Sequence, residues 1–339
     1  MKKYSVVVVG IGLVGTRILQ VLRERKFPLK SIKVLARSAR TETIDGVDYE
    51  VVAATPEAFE GADFALFAGT EGAKGASQTL GWEAAKRGCI VIDNGDDFRM
   101  DDRVPLVVPE VNPEALRKHQ GIIANPNCST IQMVAALAPL HRAAKVRRVV
   151  VTTFQSVSGT GTAAVAELER QVRDVPAGKP ANPEQYPKQI YANVIPQIST
   201  LKDIFPGYYG EEIKMIRETR KILSAPDIQV SATCVRVPVF FSHSETINVE
   251  TEKKLTAAQA RELLAATPGI RVIDDPAKGQ YPTPLEVAGQ DEVFVGRIRE
   301  DTSRPNCLDL WCVADNIRKG AATNAIQIAE KMIEMGLVK

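Results

Sequence analysis

Cysteine and histidine are sparse in this sequence, and their spacing argues against two kinds of site. The 339 residues include five cysteines, an odd number, and no pair has the C-x-x-C spacing that zinc sites use. The three histidines are scattered along the chain. We therefore expect neither a disulfide framework nor a metal site, and a reducing cytoplasm suits such thiols.

A charge bias and long apolar runs are also lacking. The 43 basic and 41 acidic residues leave a net charge of +2, so we expect no nucleic-acid or membrane partner. No run reaches the roughly 18 apolar residues that span a bilayer. The opening MKKYSVVVVG leads into a glycine turn and not into a cleavage site, which argues against a signal peptide. There is no internal repeat or low-complexity tract.

The first part of the chain has the pattern of an α/β domain. With 45% hydrophobic residues and this length, about two globular domains are expected. Several short β-branched, apolar runs are separated by helical segments. The first of these helices is expected over residues 14–25. This alternation predicts a doubly wound parallel sheet. The strand-like runs are YSVVVVG (4–10), IKVLA (32–36), YEVVAA (49–54), DFALFAG (63–69) and CIVIDNG (89–95).

After about residue 145 the strand-like runs become longer and alternate between apolar and polar residues. This pattern favours a mixed or antiparallel sheet with one covered face. The Pro- and Gly-rich segment 174–189 is predicted to be a loop. An amphipathic helix over about 317–336 is expected to return to the first domain. The runs are residues 146–157, 232–240, 245–253, 292–300 and 308–316.

The turn GIGLVG (10–15) fits the dinucleotide-binding pattern G-x-G-x-x-G. It follows a buried strand and opens a helix, which is the context that the pattern requires. Gly10 and Gly15 frame the turn, and Gly12 would let the backbone approach a pyrophosphate at the helix N-terminus, with Leu13 and Val14 between them. A glycine-rich turn without a ligand is the simpler alternative.

The residues after the second strand favour NADP over NAD. An NAD site usually has an acidic residue about 20 positions after the glycines, which binds the ribose hydroxyls. Here Arg37, Ser38 and Arg40 occupy that place, and the nearest acid is Glu42. These groups suit a 2′-phosphate, although solvated surface arginines would give the same pattern.

A single cysteine, Cys128, stands in ANPNCST (124–130) between an apolar segment and a helical pattern. Ser129 and Thr130 are candidate helix caps. Unpaired N–H groups and the helix dipole would stabilise a thiolate at this position. Free cysteines are usually buried and packed, and we assign that role to Cys89, Cys234, Cys307 and Cys312.

A nucleophilic thiolate needs a proton partner. His243, in FFSHSE after a strand that carries Arg236, is the best of three candidates. His119 and His141 lie at polar helix ends and are expected at the surface. A nucleotide fold, a cysteine and a histidine together indicate acyl chemistry on a thiol, coupled to hydride transfer.

Several motifs together resemble the aspartate-β-semialdehyde dehydrogenase family, over essentially the whole chain. The resemblance implies a Rossmann-type domain followed by an α+β domain with a mixed sheet, as in glyceraldehyde-3-phosphate dehydrogenase. It further implies NADPH-dependent reduction of aspartyl phosphate to aspartate semialdehyde through a cysteine thioester. The motifs are ANPNCST, FQSVSGTG (154–161), NVIPQI (193–198), EEIK (211–214), CVRVPVFFSHSE (234–245) and ADNIRKGA (314–321).

The resemblance also implies a role for each matching residue. Cys128 would be the nucleophile, His243 the acid and base, and Gln155 would orient the intermediate. Arg236 would bind the α-carboxylate as a bidentate fork, and Glu211 the α-amino group. The phosphate would be held by Arg99, Lys214 and Asn127, and the cofactor by Ser158, Gly159 and Asn316 in addition to the glycine turn.

Two departures from the family pattern leave alternatives open. The glycine turn is one residue shorter than usual, and GTEGAKGA (69–76) and NGDDF (94–98) replace less acidic segments. Glu71, Asp96 and Asp97 would disfavour an anionic ligand unless they point away or pair with Lys74. A reductase of another acyl phosphate or acyl thioester, or a non-catalytic dimeric relative, are therefore the competing interpretations.

We expect two domains with separate tasks. Residues 1–127 with 317–339 would bind NADP, and residues 128–316 would carry catalysis and dimerisation. The expected partners are the small-molecule substrate and a second copy of the chain, in a homodimer or tetramer.

Overall fold

The computed structural model describes residues 2–69 and 75–338, which form two compact units. One unit extends to Asn127 and resumes at Ala321, and the other is Cys128–Gly320. The chain thus leaves the first unit directly before the single cysteine of the ANPNCST turn. Within the described ranges, no helix has the length and apolar character needed to cross a bilayer.

The strands and helices are numbered in chain order. The strands are β1 (Tyr4–Val9), β2 (Leu29–Ala36), β3 (Arg40–Ile44), β4 (Val47–Ala53), β5 (Phe64–Phe67), β6 (Ile90–Asp93), β7 (Ile122–Ala124), β8 (Val146–Gln155), β9 (Gln229–Arg236), β10 (His243–Thr251), β11 (Ile270–Val272), β12 (Val293–Glu300) and β13 (Cys307–Ala314). The helices are α1 (Leu13–Glu24), α2 (Ala76–Lys86), α3 (Cys128–Ala144), α4 (Thr162–Asp174), α5 (Gly210–Ile222), α6 (Ala257–Ala265), α7 (Pro284–Val287) and α8 (Thr323–Glu334).

The sheet of the first unit has the order β3-β4-β2-β1-β5-β6-β7 and is parallel except for the β3–β4 pair. Val6 and Val8 join one core cluster, and Val7 and Val9 are equally buried on the opposite face. Strand β1 is therefore buried on both faces, as the apolar run YSVVVVG indicates. Because β1 lies between β2 and β5, its carboxyl end is the switch point where such sheets bind ligands.

Strand β3 was not predicted from the sequence. It pairs antiparallel with β4 through the tight turn at Asp45 and Gly46, both of which have positive φ. Its residues are mostly polar and exposed, so it carries little of the alternation that marks a half-buried strand. β3 is the edge strand of the sheet, so it has a neighbouring strand on one side only, and most of its residues are exposed to solvent.

The C-terminal helix α8 belongs to the first unit, where its apolar side is buried. Ile326, Ala329 and Met332 join the same core cluster as Ile18 and Leu22 of α1. The apolar side of the predicted amphipathic helix is thus buried, as expected. A short π-helical segment, Arg318–Ala322, precedes α8.

The sheet of the second unit has the order β11-β12-β13-β10-β8-β9 and is mixed, as predicted. Strands β8 and β9 are parallel, whereas β10 is antiparallel to both of its neighbours. One face packs against α3, and the core cluster there contains Met133 and Leu137 of that helix with Val151 and Ile247 of the strands. Segment 175–209 contains neither an α-helix nor a named strand.

Candidate active site

Four neighbouring strands of the second unit, β8, β9, β10 and β13, each have one end at the same edge of the sheet, and three of the predicted residues lie there. Gln155 at the end of β8 is paired with Arg236 at the end of β9. His243 at the start of β10 is paired with Ala314 at the end of β13. All three side chains are buried and follow the alternation of the face that packs against α3. Strand order, and not sequence proximity, assembles this edge.

The His243 imidazole is fully buried against the turn after β8. Its Nδ1 lies 3.0 Å from the backbone N–H of Ser156 and 3.1 Å from the hydroxyl oxygen of the same residue. Burial, and then the positive charge of Arg236, hold the pKa of His243 well below its ordinary value. The ring is therefore neutral at physiological pH, and the position of its single proton decides its chemistry.

The Arg236 guanidinium is buried beside the same turn. Nη1 donates to the Ser156 carbonyl oxygen at 2.7 Å, and the guanidinium carbon lies 6.0 Å from the centre of the Tyr186 ring. A Cβ atom on Gly159 would lie 2.9 Å from Nη1 and 3.2 Å from the His243 ring. Only glycine leaves room at this point for both side chains.

Gln155, Glu211 and Lys214 form a connected polar group. Nε2 of Gln155 donates to Oε1 of Glu211 at 3.1 Å, and Lys214 Nζ lies 3.8 Å from the other Glu211 oxygen. Both charged residues lie on α5, which begins at Gly210, and their spacing of three positions places them on one face of that helix. Glu211 is buried, which distinguishes this pair from an ordinary surface ion pair.

Cys128 is the first residue of α3. Ser129 and Thr130 lie inside the first turn and are buried, so the sequence-based suggestion that they cap the helix is wrong. The helix already begins at Cys128, so neither residue precedes it. A Cβ atom on Gly320 would lie 2.8 Å from Cys128 Cβ and 3.6 Å from Asn316 Cβ, which connects the cysteine to the same edge.

Asn316 holds the turn that contains Ser156 and Ser158. Its Oδ1 accepts from the Ser242 backbone N–H at 2.9 Å and from Ser156 Oγ at 3.0 Å, and its Nδ2 donates to Ser158 Oγ at 3.0 Å. Both ends of the amide are thus engaged inside the second unit. Ser158 and Asn316 are buried next to the residues that flank His243.

The other four cysteines are packed, as predicted. All are buried and none forms a disulfide, whereas Cys128 is half-buried. Burial raises the pKa of each of the four thiols, to about 11 for Cys89. These four cysteines therefore remain protonated at physiological pH.

His119 and His141 are half-buried and not fully exposed as predicted, because each closes a helix end. Nδ1 of His119 accepts from the Gly121 backbone N–H at 3.2 Å, and Nδ1 of His141 accepts from Val146 at 3.1 Å. Burial is the main cause that lowers the pKa of both rings. Neither belongs to the sheet edge that carries His243.

In the first unit, the glycine turn has the geometry that its pattern requires. Gly10 has φ +94°, and a Cβ atom on Gly15 would approach the Gly10 carbonyl oxygen to 2.0 Å. Gly12 stands directly before α1 with open space where its Cβ would be. A phosphate could therefore reach the backbone N–H groups of Leu13 and Val14 at the helix N-terminus.

Arg37 and Ser38 follow β2 and are exposed. Arg40 is engaged with Glu42, at 3.0 Å between Nε and Oε2. The nearest acid is therefore already paired with a cation. Arg37 and Ser38 remain accessible at the carboxyl end of a strand that neighbours β1.

Arg99 and Asn127 are buried in the first unit. The guanidinium donates to the carbonyl oxygens of Asn94 at 2.8 Å and Asn125 at 3.0 Å, which fixes it beside the strand ends. Of the acidic departures, Asp97 accepts from Gln78 Nε2 at 3.0 Å, and Asp96 directly precedes it in the same half-buried turn. Glu71 and Lys74 lie outside the described residues.

Two buried groups were not singled out from the sequence. Ser156 contacts both His243 and Asn316, although it lies inside a motif that drew attention only to its neighbours. Glu245 is fully buried, and burial raises its pKa well above the ordinary value, with the Gln132 side chain partly opposing the shift. Its position in the sequence could have indicated this burial, because Glu245 lies two residues after His243 and therefore on the same face of an alternating strand.

Comparison with known proteins defines the class first. Residues 5–119 match the family model "Semialdehyde dehydrogenase, NAD binding domain", and residues 137–319 match "Semialdehyde dehydrogenase, dimerisation domain". The fold and both domains are thus those of a semialdehyde dehydrogenase.

Individual relatives narrow this class. Aspartate-semialdehyde dehydrogenases of Aquifex aeolicus and Bacillus subtilis are 49% and 47% identical, over 99% and 98% of both chains respectively. A crystal structure of aspartate semialdehyde dehydrogenase II from Vibrio cholerae, complexed with ASA, has a TM-score of 0.93 at 43% identity and covers 98% of this chain and 99% of that chain. The chain therefore belongs to the aspartate-semialdehyde dehydrogenase family.

Proposed function

We propose that this chain catalyses the NADPH-dependent reductive dephosphorylation of L-aspartyl-4-phosphate to L-aspartate-4-semialdehyde. The observation that carries the proposal is the pair of buried charges at the sheet edge, Arg236 beside His243 and Glu211 beside Gln155. A cation and an anion held apart in this way suit an α-carboxylate and an α-ammonium group. The family relationship supports the same substrate.

The cysteine would carry the acyl group. The Cys128 sulfur would attack the acyl carbon, so that a C–S bond forms and the bond to the phosphate oxygen breaks. His243 would take the thiol proton and later supply a proton to the reacting oxygen. Gln155 would hold the tetrahedral intermediate through its amide, which Glu211 and Thr153 already orient.

The substrate phosphate would be held by cations and an amide. We assign phosphate binding to Lys214, which lies beside Glu211 on α5, and to Arg99 and Asn127. Arg99 is held by two backbone carbonyl oxygens, which orients its guanidinium.

We propose NADP as the cofactor, and the geometry of the first unit fits it. The open space at Gly12 and the helix N-terminus suit the pyrophosphate, and exposed Arg37 and Ser38 suit a 2′-phosphate. When bound, the reduced nicotinamide supplies the hydride. Ser158 and Gly159 would contact it, whereas we assign Asn316 the task of holding Ser156 and Ser158 because its own amide is engaged.

We also propose that two copies of the chain associate through the uncovered face of the mixed sheet. A groove of about 610 Å³ lies there, between the strands and the segment at Tyr281 and Pro282. A sheet with one face packed against helices leaves the other face for a partner. Five free thiols in one chain favour a cytoplasmic location.

The reverse reaction tests the proposal directly. Aspartate semialdehyde and inorganic phosphate are supplied with NADP or with NAD, and reduction of the nicotinamide is followed by absorbance. Phosphate-dependent reduction that is faster with NADP is the expected result. A folded protein that binds NADP but reduces neither cofactor would contradict it.

The acidic segment at Asp96 and Asp97 motivates one alternative, a reductase of another acyl phosphate or acyl thioester. The same assay with a substrate lacking the amino group separates the two, because Glu211 gives an advantage only to the ammonium form. Equal rates with and without the amino group would favour the alternative.

A further inference from the structure

Arg236 is a buried cation that forms no ion pair with any described carboxylate. The residue is 4% exposed, and its guanidinium donates through Nη1 to the Ser156 carbonyl oxygen at 2.7 Å. Its Nε has no hydrogen-bond partner in the described part of the chain, and no carboxylate oxygen there lies within 4.0 Å of the guanidinium. A buried charge is costly unless another group compensates it.

The ring of Tyr186 supplies such compensation. Its centre lies 6.0 Å from the guanidinium carbon of Arg236, and the tyrosine is itself buried. The face of an aromatic ring carries partial negative charge and attracts a cation, most strongly where water is excluded. A ring face does so without the strong acceptor oxygens of a carboxylate, so the N–H donors of Arg236 stay available to a ligand.

Two buried side chains of α4 hold the loop that carries Tyr186. One carboxylate oxygen of Glu167 accepts the two backbone N–H groups directly before Tyr186, at 2.9 and 2.6 Å. Gln171 donates to the other oxygen of Glu167 at 3.1 Å. The amide oxygen of Gln171 accepts the backbone N–H groups of Ile190 and Tyr191, each at 3.0 Å. The loop is thus fixed on both sides of the ring.

The same loop is also tied to the strands that carry the guanidinium. The Tyr186 hydroxyl donates to Oγ1 of Thr160, in the turn after β8, at 3.1 Å. Further along the loop, Ile195 exchanges two backbone hydrogen bonds with Arg236 itself, at 2.9 and 2.8 Å. Ring and guanidinium therefore belong to one hydrogen-bonded frame, which sets their separation.

We propose that Tyr186 is a positioning residue, whose ring face holds the Arg236 guanidinium in place and leaves its donors to the α-carboxylate of the substrate. This inference rests on the proposed function, which assigns Arg236 to that carboxylate. A carboxylate side chain at the place of the ring would pair with the guanidinium and compete with the substrate. An aliphatic side chain would leave the buried cation without compensation.

Graded changes of the ring charge test the proposal. In the reverse reaction, only aspartate semialdehyde carries an α-carboxylate, so its KM is compared with the KM values of phosphate and NADP. Tyr186→Phe keeps the ring and should keep the semialdehyde KM within about threefold. Trifluorophenylalanine at position 186 keeps the ring shape but removes the negative face, and should raise this KM about tenfold, as should Tyr186→Leu. The other two KM values should change by less than about twofold.

Tyr191→Leu is the matched control. Tyr191 lies in the same loop and packs against the same apolar cluster as Tyr186, yet it has no cation over its ring among the described residues. The same substitution there should leave the semialdehyde KM within about twofold of the wild type. An effect of lost aromatic packing alone would appear in both leucine variants.

Nitrogen-15 NMR of arginine-labelled protein gives a readout that does not depend on activity. The signal that is missing in Arg236→Lys identifies the Nε–H group of Arg236, and the ring current of Tyr186 displaces that signal. We expect the signal to move in Tyr186→Leu and to stay near its wild-type position in Tyr186→Phe and in Tyr191→Leu.

Equal semialdehyde KM values for the phenylalanine and trifluorophenylalanine forms would overturn the inference, and so would an Arg236 signal that does not respond to Tyr186→Leu. A rise of all three KM values would also overturn it, because the ring would then serve the fold alone. Should Tyr186→Leu not fold, the two aromatic forms decide the matter. Failure of the wild type to reduce NADP with aspartate semialdehyde would remove the proposed function, and the NMR comparison would still show whether Tyr186 holds Arg236.

Discussion

At the residue scale, burial separates reactive side chains from packed ones. Four of the five thiols are buried and have raised pKa values, whereas Cys128 is half-buried at a helix N-terminus. A thiolate is the reactive form of cysteine, and a helix N-terminus stabilises it. Position in the fold, and not residue type, therefore distinguishes Cys128, the proposed nucleophile, from the other four cysteines.

Replacing the nucleophile should remove turnover without removing the cofactor. We expect Cys128→Ala to lower kcat by a factor on the order of 10⁴ or more, because no thioester can form. NADP affinity, measured by fluorescence titration, should stay within about a factor of three, since alanine also suits the first turn of a helix. The matched control is Cys89→Ala, whose buried thiol donates to the Phe59 carbonyl oxygen at 3.1 Å, and which should keep its activity. Comparable turnover in both variants would exclude Cys128 as the nucleophile.

Glu245 is a second residue whose chemistry follows from burial. Burial is the main cause that raises the pKa of Glu245 well above the ordinary value of about 4.3. The folded protein therefore holds a proton that the unfolded chain releases. Stability conferred by this group is fully present below the unfolded pKa and is lost as pH rises toward the folded pKa.

Glu245→Gln should flatten that pH dependence. We expect its free energy of unfolding to exceed that of the wild type by on the order of 1 kcal/mol or more at pH 8, and the difference to shrink toward pH 5. Urea unfolding at a fixed protein concentration measures this. Exposed Glu262→Gln is the control and should run parallel to the wild type. A parallel curve for Glu245→Gln as well would mean that Glu245 is ionised in the folded state.

At the element scale, strand order assembles each site. Strands β13, β10, β8 and β9 are neighbours in the sheet, so residues that are distant in the sequence meet at one edge. Ser156 and His243, for example, are 87 positions apart. In the first unit, β1 between β2 and β5 places the glycine turn at the switch point of the sheet. A short turn between a strand and a helix then exposes backbone donors.

Two glycines of that turn should respond differently to alanine. In Gly15→Ala the Cβ would collide with the Gly10 carbonyl oxygen at 2.0 Å, so we expect destabilisation at or above the roughly 1–3 kcal/mol typical of overpacking. In Gly12→Ala nothing lies within 4 Å of the new Cβ, so stability should stay within about 0.5 kcal/mol.

NADP binding distinguishes the two variants further. Gly12→Ala should weaken NADP at least about tenfold, because its methyl group occupies the space through which the pyrophosphate approaches. Thermal unfolding with and without NADP gives both quantities. Tight NADP binding by Gly12→Ala would place the cofactor elsewhere.

At the scale of the whole molecule, the chain divides its work between two units. It crosses to the second at Cys128 and returns at Ala321, so the C-terminal helix completes the core of the first. The second unit covers one face of its mixed sheet with helices and leaves the other with a groove. We propose that face as the site for a second copy of the chain.

A charge placed on the uncovered face should therefore separate the copies. Thr246 is exposed in the middle of β10, paired with Trp311 and Thr152. We expect the wild type to elute at twice the chain mass of 36.9 kDa or more in light scattering, and Thr246→Arg to shift it toward 36.9 kDa. Burial of an unpaired charge is the physical reason. Ala258→Arg, on exposed α6, is the control and should not dissociate the protein.

The sequence by itself determined those features that are written over a few consecutive residues. Apolar periodicity located most strands and the last helix, the glycine turn marked its own geometry, and Cys128 and His243 stood out by their local context. The motifs also indicated the family. The basic residues of the loop after β2 could likewise be identified from the sequence alone. β3 was missed because it is polar and exposed, and pairs through a turn of two residues.

Only the tertiary structure decided which polar groups meet. The contact of Ser156 with His243 and Asn316 joins residues 87 and 160 positions apart, and the burial of Glu211 beside the half-buried Lys214 depends on what covers α5. The order of strands in a sheet is set by packing between distant segments, and no local pattern encodes it. The same packing buries His243 and Glu245, and burial lowers the pKa of the first and raises the pKa of the second.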